Sequence, residues 1–323
     1  MELSRRTVLA FSSAALAAPA VAAEPWPTRP VTWVVPYPAG GGSDTFARPV
    51  AADLAERFHQ PMVIDNRPGA AGTVGAAVVA RAASNGYTLL VADTGLTYEP
   101  IIYPNAGYDF IRDFAPISAI ARAPYVLLVN PQRLDVDSVA GFIAAARRRP
   151  DAIDIGSAGQ GSVSHLAIDL LEAQADVKLS HVPYRGGTPM LQDLLAGQIA
   201  AGFVLPTAAL GYVQSGKLRA LVVANRRREP LLPAVPNAEE AGLRGLRASV
   251  WFGLFAPRGT EESILDRLHD AVQAALATPE LQRSWTELGA RVEPESRADF
   301  TRFVLRDTER WTRIARAANI RVE

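Results

Sequence analysis

The 323-residue sequence contains no cysteine, which excludes disulfides, thiol nucleophiles and cysteine-ligated metal sites. It also lacks an excess of charge of either sign, because 33 basic residues balance 33 acidic residues. The arginine triplets at 147–149 and 226–228 are too short to form the basic stripe that is typical of nucleic-acid-binding proteins. We therefore expect no nucleic-acid partner.

The residue patterns of common enzymatic sites are also missing. No G-x-S-x-G motif is present, and none of the four histidines has the spacing of metal ligands: His59, His165, His181 and His269. A dinucleotide-binding site would use Gly159 and Gly161 at the end of a strand. The next predicted strand, however, ends at Tyr184 without the acidic residue that binds a ribose. We therefore expect no catalytic residues, no metal and no cofactor.

The N-terminus has the composition of a targeting segment. Arg5 and Arg6 precede an apolar run at 7–18 and small residues at 20–23, which predicts a cleaved signal peptide over residues 1–23. The stretch 4–9 also fits a twin-arginine signal, so the twin-arginine and Sec routes both stay open. No later apolar run is long enough to span a bilayer, and the mature chain is expected to be soluble and periplasmic.

The first motif that predicts a binding site is a glycine-rich stretch at 37–44, here called the first glycine loop. The β-branched and aromatic run 31–35 predicts a buried strand, which Pro36 ends. Three glycines follow, and Ser43 or Asp44 is then predicted to cap a helix that begins at Thr45. Backbone N–H groups at a helix start favour an anion such as a carboxylate. A glycine-rich turn that merely connects two elements is the competing interpretation.

A second stretch of the same design, the second glycine loop, spans residues 157–165. It follows a predicted strand at 153–156 and precedes a helix that continues through Leu171. Alternating strands and helices predict parallel sheets, in which ligands lie beyond the carboxyl ends of strands. The stretch 93–95 follows the predicted strand 86–92 and is expected at such an end, whereas 109–116 is predicted to be a loop. Two similar loops suit two lobes that face each other across a cleft.

Several sequence blocks, in order along the whole mature chain, together resemble one family. These blocks are Tyr37-Pro-Ala-Gly-Gly-Gly-Ser-Asp44, Asp65-Asn-Arg-Pro-Gly-Ala-Ala-Gly72, Ser157-Ala-Gly-Gln-Gly161 with His165, Val182-Pro-Tyr-Arg-Gly-Gly187 and Trp251-Phe-Gly-Leu-Phe-Ala-Pro257. The chain resembles the Bug (TctC-like) receptors, the extracytoplasmic solute-binding components of tripartite tricarboxylate transporters. Each block alone would be a weak signal, and their combination is specific.

The resemblance implies an α/β fold of the type II periplasmic-binding-protein kind, with two α/β lobes, a ligand cleft between them and two hinge strands. The apolar runs 125–130 and 250–256 are the expected hinge strands. Lobe 1 is then residues 24–124 and 251–323, and lobe 2 is residues 125–250. Such lobes close on their ligand by a hinge motion.

The resemblance also implies a function. A small carboxylate (a dicarboxylate, an amino acid or an aromatic acid) is expected to be captured by a monomeric receptor and delivered to the membrane permease subunits of a tripartite tricarboxylate transporter. The family holds the carboxylate with main-chain amides, hydroxyls and water, in agreement with the converging N–H groups of the two loops. A ligand-sensing module of the same fold that signals to a membrane sensor kinase is the alternative, and a nucleotide-binding enzyme is a weaker one.

The expected ligand contacts lie in both lobes. In lobe 1 they are Tyr37, Ala39, Gly41, Ser43, Asp44, Asp93 and Thr94; in lobe 2 they are Ser157, Gly159, Gly161, Ser162, His165, Tyr184 and Arg185. Tyr37 is expected either to contact the ligand or to be a core tyrosine. Asp44 is expected to cap the helix rather than to touch the ligand. His165 is expected to hydrogen-bond the neighbouring loop rather than the ligand.

Two positions depart from the family pattern. Asp93 lies where small neutral residues are usual, so its carboxylate either repels an anion, binds an amino or hydroxyl group of the ligand, or faces Arg67 or solvent. The segment 204–206 is apolar where the family more often places acidic or aromatic-polar residues. The second departure favours a ligand with a more hydrophobic tail, such as an aromatic ring.

Overall fold

The computed structural model describes residues 26–292 and 294–318, which form two five-stranded sheets flanked by helices. The predicted signal peptide lies outside these residues. The strands are β1 (Val31–Val35), β2 (Met62–Asn66), β3 (Thr88–Asp93), β4 (Phe114–Pro124), β5 (Val126–Val129), β6 (Asp154–Ser157), β7 (Ser180–Pro183), β8 (Ala201–Val204), β9 (Arg219–Val223) and β10 (Ser249–Pro257).

Helices cover both sheets and connect most of the strands. They are α1 (Gly42–Phe58), α2 (Thr73–Ala80), α3 (Glu99–Ile102), α4 (Phe110–Asp113), α5 (Val139–Arg148), α6 (Val163–Ala175), α7 (Gly187–Leu195), α8 (Pro206–Gln214), α9 (Glu262–Leu276), α10 (Pro279–Glu287) and α11 (Arg297–Ala317). In the part of the chain that the structure describes, no helix combines the length and the apolar composition needed to cross a bilayer.

The predicted parallel pairing is confirmed for three neighbouring strands on one side of each sheet. Sheet 1 has the order β2-β1-β3-β10-β4, in which β1 pairs in parallel with β2 and β3. Sheet 2 has the order β7-β6-β8-β5-β9, in which β6 pairs in parallel with β7 and β8. The remaining pairings are antiparallel, so both sheets are mixed. The ends of β1 and β3, and of β6, therefore present their following loops at one edge of each sheet.

The chain crosses between the sheets twice, and the two crossings are hydrogen-bonded to each other. The first runs from β4 through Tyr125 into β5, and the second enters β10 at Ala248. The Tyr125 N–H donates to the Ala248 carbonyl at 2.9 Å, and the Ala224 N–H donates to the Tyr125 carbonyl at 2.8 Å. The expected loop at 109–116 is wrong, because α4 occupies Phe110–Asp113 and β4 begins at Phe114. The lobe boundaries at 124/125 and 250/251 remain a prediction.

Helix α11 packs against the cores of both sheets. Its first half buries Phe300 and Val304 beside sheet 1, while Trp311 and Ala315 join the apolar cluster of sheet 2. The segment 98–102 also reaches from one sheet to the other. It follows β3 of sheet 1, and its residues Tyr98 and Ile102 join the apolar cluster of sheet 2. Tyr98 stacks on Trp311 with ring centroids 5.9 Å apart. These two elements connect the lobes in addition to the crossing strands.

Candidate functional site

The first glycine loop leads directly into α1, three residues earlier than the sequence predicts. The helix begins at Gly42, and its N-cap is Gly41, so neither Ser43 nor Asp44 caps it. Glycine replaces a capping side chain at this position, which leaves the backbone N–H groups uncovered. Those of Gly42, Ser43 and Asp44 have no intrahelical acceptor because the carbonyls four residues earlier precede the helix. The predicted cap by Ser43 or Asp44 is therefore wrong, and anion binding at this helix start stays a prediction.

Asp44 holds the loop in place. Its carboxylate accepts the Gly40 N–H at 2.9 Å, the Asn66 side-chain amide at 2.9 Å, and two hydrogen bonds from the Arg48 guanidinium at 2.7 and 2.8 Å. Burial alone would raise the pKa of Asp44, but these hydrogen bonds outweigh burial and lower the pKa below its ordinary value. The carboxylate is consequently ionised and fully engaged in supporting the loop, whereas the sequence predicts a helix cap.

Tyr37 and Asp93 connect the first glycine loop to the end of β3. The Tyr37 hydroxyl donates to Asp93 Oδ1 at 3.0 Å, and the Leu96 N–H donates to the same oxygen at 3.3 Å. Arg67 pairs with Asp65 instead, so the interpretation that Asp93 faces Arg67 is wrong. Burial raises the pKa of Asp93 to about 6.

Four other candidate residues lie at the rim or inside the scaffold. Thr94 is fully buried, and its hydroxyl accepts the Trp251 N–H of β10 at 2.9 Å. The Tyr184 hydroxyl donates to Asp193 at 2.9 Å, while Arg185 is exposed. Ala39 is exposed in the first glycine loop. Of these four, Ala39 and Arg185 therefore have the more accessible side chains.

The second glycine loop is hydrogen-bonded within itself more than the sequence suggests. Ser162 caps α6 by accepting the His165 N–H at 3.3 Å. Three loop N–H groups already have protein acceptors: Ala158 donates to Ser164, Gly159 donates to Ser157, and Gly161 donates to His165 Nδ1. The N–H groups of Val163 and Ser164, in the first turn of α6, have no intrahelical acceptor. The anion-binding capacity of this loop therefore lies at the helix start.

Two stacked histidines form the base of the second glycine loop. The rings of His165 and His181 lie 3.8 Å apart at an interplanar angle of 11°, and Ser157 Oγ is 2.7 Å from His181 Nε2. Burial lowers the pKa of His165 to about 3, helped by the neighbouring His181, and lowers the pKa of His181 to about 4. Both rings are therefore neutral near pH 7. His165 binds the neighbouring loop, as expected.

The two glycine loops lie close together across the sheets. A Cβ on Gly161 would be 2.7 Å from Ile102 Cδ1, so the segment after β3 contacts the second loop. A Cβ on Gly42 would be 3.8 Å from Leu205 Cδ1, so the segment after β8 approaches the first loop. Each loop is thus packed against a residue from a segment that follows a strand of the other sheet.

Two residues near the glycine loops were not predicted from the sequence. Glu99, at the start of α3, is only 4% exposed and follows no recognisable motif. His181 is brought beside the second glycine loop by the parallel pairing of β6 with β7, in which Ile155 is in register with His181. The register of two neighbouring predicted strands is a signal that could identify His181, whereas no signal of this kind exists for Glu99.

Replacing Asp93 with asparagine is expected to flatten the pH dependence of stability of the ligand-free protein. The folded pKa is raised, so the native state holds an additional proton and stability falls as pH rises from about 4 to about 6. Across this window the wild type should lose on the order of 2 kcal/mol more unfolding free energy than Asp93→Asn. Urea unfolding at several pH values measures this difference. If the unfolding free energies of the two proteins change in parallel with pH, Asp93 does not take up a proton on folding.

Comparison with known proteins places this site in a family context. Residues 46–320 match the model of the tripartite tricarboxylate transporter family receptor, TctC. A UPF0065 protein from Pseudomonas sp. strain P51 is 38% identical over 319 residues, covering 97% of this chain and 94% of the relative. Protein BugT of Bordetella pertussis is 32% identical over 315 residues, covering 97% and 96%.

Two solved structures share the architecture over nearly their whole length. Rpa4515 of R. palustris with adipate has a TM-score of 0.85 and 37% identity, covering 92% of this chain and all of its own. MatC from Rhodopseudomonas palustris with bound malate has a TM-score of 0.81 and 35% identity, covering 90% and 99%. The expected two-lobed periplasmic-binding-protein fold is therefore confirmed. With the family model matched over most of the chain and relatives aligned along it, this protein belongs to the TctC family of tripartite tricarboxylate transporter receptors.

Proposed function

We propose that this protein is a periplasmic receptor, and not an enzyme, that captures a small carboxylate between its lobes. The observation that carries the proposal is that each sheet is followed by a glycine loop and a helix start, and that each loop packs against a segment from the other sheet. The first turns of α1 and α6 present N–H groups that lack intrahelical acceptors, and Ile102 and Leu205 bring the two loops together. Aligned N–H dipoles and helix dipoles stabilise an anion that is withdrawn from water.

The relatives support a carboxylate as this anion. Rpa4515 is described with adipate and MatC with malate, and both are more than a third identical to this chain. Both compounds carry two carboxylates, which suits a cleft with one anion-binding loop on each side. In this proposal the fourteen residues predicted from the sequence form the ligand site, with Asp44, Thr94, Ser157 and His165 acting mainly by holding the loops.

Delivery of the ligand to membrane permease subunits is the second half of the proposal, and it follows from membership in a transporter receptor family. The predicted export signal favours a periplasmic location for the mature chain, which we expect to be a monomer. The same site would serve a receptor that signals to a sensor kinase, so the two roles differ in the partner rather than in the ligand. A pull-down of the liganded receptor with detergent-solubilised permease subunits separates them.

A thermal-shift screen of residues 24–323 tests the capture of a carboxylate. A ligand that binds only the native state raises the melting temperature by mass action. Mono-, di- and aromatic carboxylates form the test panel, with sugars and nucleotides as controls. We expect a shift with one class of carboxylate and none with the controls. Shifts confined to sugars or nucleotides would contradict the proposal.

A further inference from the structure

Two carboxyl groups converge on one small space at the end of β3. The point at which a Cβ on Gly95 would lie is 3.0 Å from Glu99 Oε1, 3.2 Å from Asp93 Oδ1 and 3.7 Å from the Tyr37 hydroxyl. A side chain at position 95 would crowd both carboxyl groups, so glycine allows the two acids to approach each other there. Polar atoms of Tyr37, Asp93 and Glu99 therefore gather around Gly95.

Neither carboxyl group is neutralised by the protein. Within the described ranges, no lysine or arginine forms an ion pair with Asp93 or Glu99, and no basic group affects the pKa of either. Glu99 is buried, and its Oε2 atom has no hydrogen-bond partner. A buried carboxyl oxygen without a hydrogen-bond partner costs free energy, so Glu99 needs an explanation. A ligand that supplies hydrogen-bond donors would provide one.

The two acids lie between the glycine loops. On one side, Tyr37 of the first glycine loop donates its hydroxyl to Asp93. On the other side, Ile102 of the same short helix as Glu99 packs against Gly161 of the second glycine loop. Asp93 is therefore hydrogen-bonded to the first glycine loop, and the short helix that carries Glu99 contacts the second.

We propose that Asp93 and Glu99 select a ligand in which an ammonium group accompanies the carboxylate, that is, an amino acid. This inference rests on the proposed carboxylate-binding function and specifies its ligand class. An ammonium carries three donors, which would serve the unpartnered Glu99 Oε2 and the Asp93 carboxylate, and its hydrogen bonds to an ionised carboxylate are charge-assisted. A purely anionic ligand would instead meet the like charge of Asp93.

The sign of the pH dependence distinguishes these two kinds of ligand. Burial raises the pKa of Asp93 to about 6, so this carboxyl group ionises between about pH 5 and pH 7. The affinity for an amino acid should rise through this window, whereas the affinity for a plain carboxylate should fall. The titratable groups around Asp93 are the phenols Tyr37, Tyr98, Tyr108 and Tyr125 and the carboxyl group of Glu99, with Asp307 beyond Tyr98.

The phenols around Asp93 do not change charge in the same window, because burial raises pKa values that ordinarily lie above it. Burial also raises the pKa of Glu99 well above its ordinary value, which favours the neutral form of this carboxyl group. The Asp307 carboxylate accepts the Trp251 indole N–H at 2.8 Å. His165 and His181 titrate at lower pH, near 3 and 4, but burial also raises the pKa of Asp169 on α6 to about 6. Asp169→Asn is therefore the matched control for any pH effect assigned to Asp93.

Isothermal titration with matched ligand pairs tests the inference. The pairs are L-aspartate with succinate, L-glutamate with glutarate, and L-phenylalanine with hydrocinnamate, which differ only in the amino group. We expect one amino member to bind more tightly than its partner at pH 7. Asp93→Asn should weaken its binding by roughly 10- to 100-fold, as for loss of a charged hydrogen-bond partner, and Glu99→Gln should weaken it less. Asp169→Asn should retain the preference and the pH dependence.

The outcomes separate this inference from the function on which it rests. If a plain carboxylate binds more tightly than its amino partner, and its affinity increases in Asp93→Asn, the inference is overturned while the carboxylate receptor stands. If neither member of any pair binds and a sugar or nucleotide does, both proposals fail. Should Asp93→Asn not fold, the wild-type affinity for the amino member between pH 5 and pH 7 decides, since a fall with rising pH overturns the inference.

Discussion

Gly161→Val is expected to abolish the stabilisation of this protein by its carboxylate ligand. Gly161 has a φ of +79°, where a side chain costs about 1–2 kcal/mol. A Cβ at position 161 would also lie 2.7 Å from Ile102 Cδ1. Valine would therefore force the second glycine loop away from the segment that follows β3. We expect a folded protein with a lower melting temperature and no measurable thermal shift with the ligand.

Gly211→Val provides the matched control for this loss. Gly211 lies within α8, its backbone is not left-handed, and no atom lies within 4 Å of the Cβ position. Stability and the ligand-induced shift should both remain close to the wild-type values in this variant. A Gly161→Val protein that binds the ligand with wild-type affinity would remove the second glycine loop from the site.

Trp311→Ala is expected to cause a larger loss of stability than any of the other substitutions. Trp311 is fully buried, stacks on Tyr98 and joins the C-terminal helix to the apolar cluster of sheet 2. Truncation of a buried tryptophan leaves a cavity and costs about 3–5 kcal/mol. The cost should appear in chemical unfolding as a lower denaturation midpoint with an unchanged slope.

Leu305→Ala is the control on the same helix. This leucine is 45% exposed, so its removal should change the unfolding free energy by no more than about 0.5 kcal/mol. Equal losses of unfolding free energy in the two variants would mean that the buried contacts of Trp311 add nothing to stability beyond the helix itself. A small loss in Trp311→Ala would contradict the role of α11 in joining the two lobes.

The elements around the glycine loops can be predicted because local signals coincide there. The apolar run of β1 is followed by prolines and glycines, and the β6 strand is followed by Ser162, a favourable N-cap. The start of α1 is harder to predict because a backbone cap by Gly41 leaves no side-chain signal. The start of β4 is obscured because its sequence contains two prolines and few β-branched residues, and its packing against α9 and α11 is a tertiary effect.

The polar contacts of the site are less predictable than the loops that carry them. The Tyr37–Asp93 hydrogen bond joins residues 56 positions apart, and the His165–His181 stack depends on strand register. Asp93 can be recognised as unusual from the sequence, but Glu99 becomes its neighbour only through the turn at Gly95. Sequence patterns therefore locate the anion-binding backbone, while the side chains proposed to select the ligand emerge from tertiary structure.

The crystal structure of the protein with the carboxylate that gives the largest thermal shift tests the central claim most directly. We predict that carboxylate oxygens lie within hydrogen-bonding distance of N–H groups in the first turns of α1 and α6, with both loops in contact with one ligand molecule. A ligand bound elsewhere, for example in the surface groove beside α5 and the end of α6, would contradict the assignment of the glycine loops as the binding site.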